Sequence, residues 1–260
     1  MKQVIKTICI FTFTILMFSS CQKVINVNLN SAATKYVITG NVTDQPGPYT
    51  VSVTQTKDFS ANNTFTGISN AAITITDSNT GQTDTLVLAS AGRYQTHMLT
   101  GIPGHTYQLS VAIGNDKFQS SSSMPQPVAI DSMRTVNSSF GNNINVIPYY
   151  KDPVQTGNYY HLVLTVQDSV STNIYIHSDA LVNGEEVSSS LDNDIDVHSG
   201  DLLTIELQCV DKNVYTYYRT LSQTIQQNSA TPANPETNIT GGALGYFSAH
   251  TVNRKSITAP

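Results

Sequence analysis

The chain has 260 residues, of which 12% are charged, with a formal net charge of -5. An acidic balance disfavours nucleic acid and anionic headgroups as partners, since both need a basic footprint. The charged share is about half the usual one, and Thr, Ser and Asn fill the polar positions around β-branched residues, a composition that favours strands over helices.

Lys2 and Lys6 form a positive start, and Thr7 to Phe18 is an uncharged apolar run. A helix needs roughly 20 apolar residues to cross a bilayer core, so this run is too short to span and reads instead as the apolar part of a secretory signal. Directly after it come Ser19, Ser20 and Cys21. Small side chains before a thiol suit a lipoprotein signal peptidase, and the motif resembles the bacterial lipobox, with Phe18 where Leu is usual. An ordinary cleavage site with an incidental Cys is the competing reading.

The lipobox resemblance implies a signal peptide over 1–20, a lipid-anchored tether over 21–34, and Cys21 carrying a diacylglyceryl thioether plus an amide-linked chain, with palmitate the typical acyl group. At about 0.8 kcal/mol per buried methylene, two or three chains sum to on the order of 20 kcal/mol, enough to prevent release. Gln22, not Asp, follows the Cys, which in lipoproteins favours sorting to the outer membrane. No acidic run lies between Gln22 and Asn30, so the membrane face stays open. Loss of Lys2 and Lys6 would leave 11 basic against 18 acidic residues, a charge of -7. With Cys9 removed and Cys21 lipidated, Cys209 has no partner for a disulfide; it sits on the apolar side of an alternating run and reads as a small buried hydrophobe.

A first β domain is expected over 35–124. Tyr36-Ile38-Val42, Tyr49-Val51-Val53, Ala71-Ile73-Ile75 and Tyr107-Leu109-Val111-Ile113 place apolar residues at alternate positions, the mark of half-buried antiparallel strands. Asp44 to Pro48, Asp77 to Gly81 and Gly101 to Gly104 supply turn chemistry between them. Several short strands at this spacing suggest a sandwich. Gly92-Arg93-Tyr94, the Gly101 to Gly104 turn and Tyr107 to Val111 are together similar to the carboxypeptidase regulatory-like, transthyretin-like sandwiches. That resemblance implies an inward-facing aromatic and a scaffold, not peptidase activity.

Met124-Pro125-Gln126-Pro127 reads as a stiff connector, since each Pro biases the residue before it to extended geometry. It opens a second β-rich domain, 125–260, with expected strands over Asn143 to Tyr150, Tyr159 to Val166 and Asp201 to Val210. The period then changes: Val214, Tyr218, Leu221 and Ile225 share one helical face, Asp211 is a suitable N-cap and Asn228 lies past the end, which predicts a helix near 211–227. Such a helix must cover a sheet, and its Tyr215, Tyr217 and Tyr218 read as packing rather than a ligand platform. Gly241-Gly242 predicts a turn or bulge and Leu244 to Ala249 a closing strand. The lack of a Lys-Ser/Thr pair and of a following helix pattern argues against a phosphate loop there. The fold class is therefore mainly β: an N-terminal Ig/transthyretin-like sandwich, then a second antiparallel β domain with one α-helix.

The lipobox, the Met-Pro-Gln-Pro connector leading to Ile130-Asp131-Ser132, the Asp152-Pro153 loop before Asn158-Tyr159-Tyr160, the aromatic helix and the phrase from Asn234 to Ala249 together resemble DUF4249. This is a family of Bacteroidota outer-membrane lipoproteins whose domain has no known function. The resemblance covers nearly the whole chain and implies an accessory role beside a TonB-dependent receptor in nutrient or metal capture. It supplies no catalytic residues and no cofactor beyond the lipid.

Other candidate sites are thin. Asp192, Asp194 and Asp196 alternate as in a Ca²⁺ loop, but Val197 stands at the Gly position and Leu203 at the Glu position of an EF-hand. His97, His105, His161, His177, His198 and His250 show no pair at metal-ligand spacing. Asp84-Thr85-Leu86, Asp131-Ser132-Met133 and Asp168-Ser169-Val170 resemble the Asp-Ser/Thr-apolar acceptor of Bacteroidota O-glycosylation, implying Thr85, Ser132 and Ser169 as modified hydroxyls. Scattered carboxylates and the absence of Trp argue against a glycan hydrolase, and no enzyme is expected. The two functional expectations are a non-catalytic capture lipoprotein and, as its alternative, a structural or adhesive surface module.

Overall fold

The computed structural model describes residues 33–57, 64–137, 144–225 and 234–260. The expected signal peptide, Cys21 and nearly all of the tether lie outside the described residues.

In the first half the alternation seen in the sequence becomes strand pairing. The strands are β1 (Tyr36–Thr43), β2 (Thr50–Gln55), β3 (Ala72–Asp77), β4 (Thr83–Thr85), β5 (Val87–Ser90), β6 (Arg93–Gln95), β7 (Thr106–Ile113) and β8 (Asp116–Ser123). The second half adds β9 (Ile130–Asn137), β10 (Ile144–Lys151), β11 (Tyr159–Val166), β12 (Ser169–Val170), β13 (Tyr175–Ser178), β14 (Glu186–Ser188), β15 (Leu202–Val210), the helix α1 (Lys212–Ile225), β16 (Ile239–Thr240) and β17 (Leu244–Thr258). The protein is mainly β with one α-helix among the described residues, as expected.

Three sheets form. The largest runs β12-β11-β15-β17-β1-β2-β6-β5 with β13 beside β11; the others are β16-β8-β7-β3-β4 and β14-β10-β9. One end of the large sheet stacks on the five-stranded sheet around Ile38, Val51, Ile73, Tyr94, Tyr107, Leu109 and Phe247. This is the sandwich predicted from the alternation, and Tyr94 turns inward as the resemblance implied. The other end packs with the three-stranded sheet around Val146, Tyr150, Tyr160, Leu164, Leu203, Ile205 and Leu207. Each fully buried large side chain contributes about 1.5–3 kcal/mol relative to an exposed one.

β17 serves both cores. Leu244 to His250 runs parallel to β1, and Thr251 to Thr258 runs antiparallel to β15. Its start requires glycine: Gly245 has φ +96°, and a Cβ there would stand 2.0 Å from the Ile38 carbonyl oxygen. The phrase that dominates the C-terminal sequence is thus a strand-entry device, and Asn238 completes it by accepting from Phe247 N at 3.0 Å and donating to Phe247 O at 2.7 Å.

Helix α1 begins where the sequence placed it. Asp211 Oδ1 accepts from Asn213 N at 2.8 Å and Val214 N at 3.0 Å, the N-cap arrangement. Its other oxygen accepts from Ser122 Oγ at 2.5 Å, and Ser122 Oγ in turn accepts from Ala249 N at 2.8 Å. The cap therefore ties the helix to β8 and β17 together. Val214 is fully buried, whereas Ile225, at the end of the same face, is 60% exposed.

Candidate functional site

A cleft of about 240 Å³ opens at the edge of the second core, lined by Pro148 and Tyr150 of β10, Leu162 of β11, Ile174 to His177 on and before β13, and Ser189 to Leu191 after β14. Half of its lining residues are aliphatic, and Tyr150, Tyr175, His177, Ser189 and Ser190 make up the rest. Tyr150 is 1% exposed, packs against Tyr160 with ring centroids 5.1 Å apart and meets His177 edge-on at 6.5 Å. Neither the Tyr150 hydroxyl nor His177 Nε2, both buried, has a hydrogen-bond partner in the protein. Buried polar atoms are ordinarily satisfied; these two are enclosed by the protein behind the cleft wall.

Two buried carboxylates frame this region. Asp152 accepts from the Tyr160 hydroxyl at 2.5 Å and from Gly184 N at 3.0 Å, while Asp179 accepts from Gly157 N at 2.6 Å and Asn158 N at 3.0 Å. The Asp152-Pro153 loop and the Asn158-Tyr159-Tyr160 run are held together by these bonds. Burial first, then the neighbouring Cys209 and Asp152, pushes the Tyr150 phenol up; burial followed by the bond to Asp152 does the same to Tyr160. Burial lowers His177 against the pull of Asp152 and Asp179. All three are therefore neutral at pH 7, and no Lys or Arg lines the cleft.

The predicted site residues are not gathered here. Asp194 accepts from Thr172 N at 2.9 Å and from the Ser171 and Thr172 hydroxyls, and Asp192 Oδ1 accepts from Asn145 Nδ2 at 2.9 Å. Asp196 follows two residues on, and among the described residues no three His, Cys, Asp or Glu side chains are grouped to hold a metal ion. Thr85, Ser132 and Ser169 are exposed. Asp84, beside Thr85, is buried and accepts from His97, Met98 and Leu99 N at 2.7–2.9 Å. Cys209 is free and buried, its thiol raised chiefly by burial, as expected of an inert core residue.

The helix tyrosines pack rather than expose a platform. Tyr218 stacks on His161 at 3.8 Å and its hydroxyl donates to the Tyr246 hydroxyl at 2.9 Å; Tyr217 lies 4.7 Å from Tyr246. No helix among the described residues is long and apolar enough to cross a membrane.

The model of the family described as Domain of unknown function (DUF4249) matches residues 22–256. The chain belongs to DUF4249. No curated protein matches this DUF4249 member. Among solved structures, it is similar to the chicken interferon gamma receptor alpha chain at 8% identity and a TM-score of 0.23, over 68% of this chain and 89% of that one. A two-domain fibronectin type-III segment of chicken tenascin gives 11% and 0.23, over 69% and 92%. A Bacteroides uniformis protein named for a proposed carbohydrate-binding role gives 11% and 0.27, over 86% and 98%.

Tyr150 and His177 are not singled out by the sequence because they lie on different strands, 27 positions apart, and each looks like an ordinary strand residue. The only signal near them was the Asp152-Pro153 loop with its following Asn-Tyr-Tyr.

Proposed function

We propose that this DUF4249 protein is a non-catalytic lipoprotein of the outer membrane, held by lipid on Cys21, that serves a TonB-dependent receptor in capturing a nutrient or metal. The observation that carries this reading is the short apolar run ending in Phe18-Ser19-Ser20-Cys21, which supplies a signal and an anchor in one motif. The cleft at Tyr150 offers a captured molecule a place to sit. The acidic charge is consistent with a partner that is neither nucleic acid nor an anionic lipid surface.

The test is an affinity pull-down of the tagged protein from detergent-solubilised envelopes. Recovery of a TonB-dependent receptor in amounts comparable to the bait supports the reading. Its absence, together with normal growth of a deletion strain on every substrate and loss of attachment, would favour the structural or adhesive module.

A further inference from the structure

The acidity of the chain is unevenly placed. Residues 125–260 hold thirteen acidic and six basic residues, a net of -7, whereas 35–124 hold five and four. Those four basic residues, Lys35, Lys57, Arg93 and Lys117, are exposed, and strand pairing brings them toward one end of the first sandwich. Lys35 stands just before β1, and its carbonyl accepts from Thr56 N at 2.9 Å, which puts Lys57 beside it. Lys117 precedes Phe118, whose ring meets Tyr36 at 5.4 Å, and Arg93, opposite Ser52, lies three residues in from the end of β2. Phe65, two residues before the Gly67–Thr54 bridge, is 58% exposed at the same end. Asp116 stands among the cations, but Asp44 and Asp77 close the opposite end, where Asp44 accepts at 2.9 Å from the N–H of Val252, on the part of β17 that enters the second domain.

We propose that this basic end rests on the phosphate headgroups of the bilayer that holds Cys21, with the acidic second domain directed away from it. This deepens the reading above by giving the anchored protein an orientation, and rests on the Cys21 anchor. The chain enters the sandwich at this end, but the fourteen residues from Cys21 to Thr34 could reach about 45 Å when extended, so the tether alone leaves the protein free to lie flat. Charge decides between the two poses. Leu244 of β17 is level with Val37 near the basic end, and Thr258 is level with Leu202 in the second domain, about 45 Å away at roughly 3.3 Å per residue. The Debye length at physiological salt is about 8 Å, so an upright molecule keeps its acidic domain outside the surface field and a flat one brings it in. Basic side chains are drawn to an anionic surface, and three of them are worth on the order of a hundredfold in the upright population. Phe65 adds an apolar ring for the headgroup boundary. The lipid supplies attachment and the charges supply direction, so the acidity of the whole chain is no obstacle.

The experiment uses the polypeptide from Cys21 to Pro260, which carries every described residue, with ¹³C-labelled Ile methyl groups observed by NMR. It is coupled through Cys21 to a maleimide lipid in nanodiscs that also hold a gadolinium-chelating lipid; Cys209 is buried and does not compete. The discs are phosphatidylcholine alone, or equal parts phosphatidylcholine and phosphatidylglycerol. In the anionic discs Ile68 and Ile113, near the basic end, should lose most of their intensity to the paramagnet, while Ile176 and Ile257 of the second domain keep theirs. The contrast should shrink in phosphatidylcholine and at about 1 M salt, where the Debye length falls to about 3 Å. Lys35→Gln, Lys57→Gln and Lys117→Gln combined should melt with the wild type and lose the contrast. Equal losses at all four methyls in anionic discs, or a contrast undiminished by phosphatidylcholine, high salt or the triple substitution, overturns the proposal. Because the coupled lipid replaces the native one, failure here removes the orientation alone, whereas an unmodified N-terminus in native envelopes removes the anchor alone.

Discussion

Lowering the pH from 7 to 5 should weaken the fold through one histidine. His250 lies on β17 and is 4% exposed; its Nδ1 is 2.9 Å from Ser248 Oγ. Burial, then repulsion from His161 and Arg254, lowers its pKa to about 3. The unfolded chain takes up this proton near pH 6.5, while the folded chain stays neutral until about pH 3. Its contribution is therefore complete above about pH 6.5 and is lost progressively as the pH falls from there to about 3. At pH 5, about 1.5 units below the unfolded value, the loss is about 2 kcal/mol. His161, also lowered by burial, adds to it in the same direction. Urea unfolding of the wild type and of His250→Asn at both pH values isolates the effect, because other titrating groups cancel in the difference. The wild type should lose about 2 kcal/mol more than the variant between pH 7 and pH 5. Equal losses would refute the reasoning, as would an imidazole NMR titration showing His250 protonated at pH 5.

Three further outcomes follow from single contacts. Ser122→Ala strands the Ala249 N–H and removes a donor from Asp211, so equilibrium unfolding should show a loss of about 1–3 kcal/mol. Asp84→Asn weakens the tie to the 97–99 backbone; although burial pushes the Asp84 carboxyl up, the Met98, Leu99 and His97 donors hold it below the usual range. Its contribution is present above about pH 4 and lost as the pH falls below that, so the variant should unfold earlier in urea at pH 7 and show a shallower decline under acid. Gly245→Ala places a Cβ 2.0 Å from a backbone oxygen at φ +96°; expression should yield aggregated or unfolded protein, and a variant melting within a few degrees of the wild type would contradict the strand-entry account.

Strands were legible where one face met a core and the other met solvent, as in β1, β2, β3 and β7. The helix was legible because Asp211 and Val214 stand at the offsets a cap and a buried face require. β17 was harder: the sequence suggests a strand ending near Ala249, yet it continues to Thr258. Phe247 to Val252 are buried in succession, with the first core on one face and α1 over the other, so alternation is lost where a strand is covered on both sides. The parallel pairing of β1 with β17 brings together segments about 200 residues apart and has no local signature. The scattered acidic residues were ambiguous for the same reason. Asp84, Asp152, Asp179 and Asp211 hold backbone and side-chain donors from distant segments, a role that only the folded chain discloses.

The anchor is the central claim, and the mass of the N-terminal proteolytic fragment from native envelopes tests it most directly. The account predicts a fragment beginning at Cys21, heavier than the polypeptide by a diacylglyceryl group and an amide-linked acyl chain, and found in the membrane fraction. A fragment with an unmodified start at another residue, recovered from the soluble fraction, would contradict it.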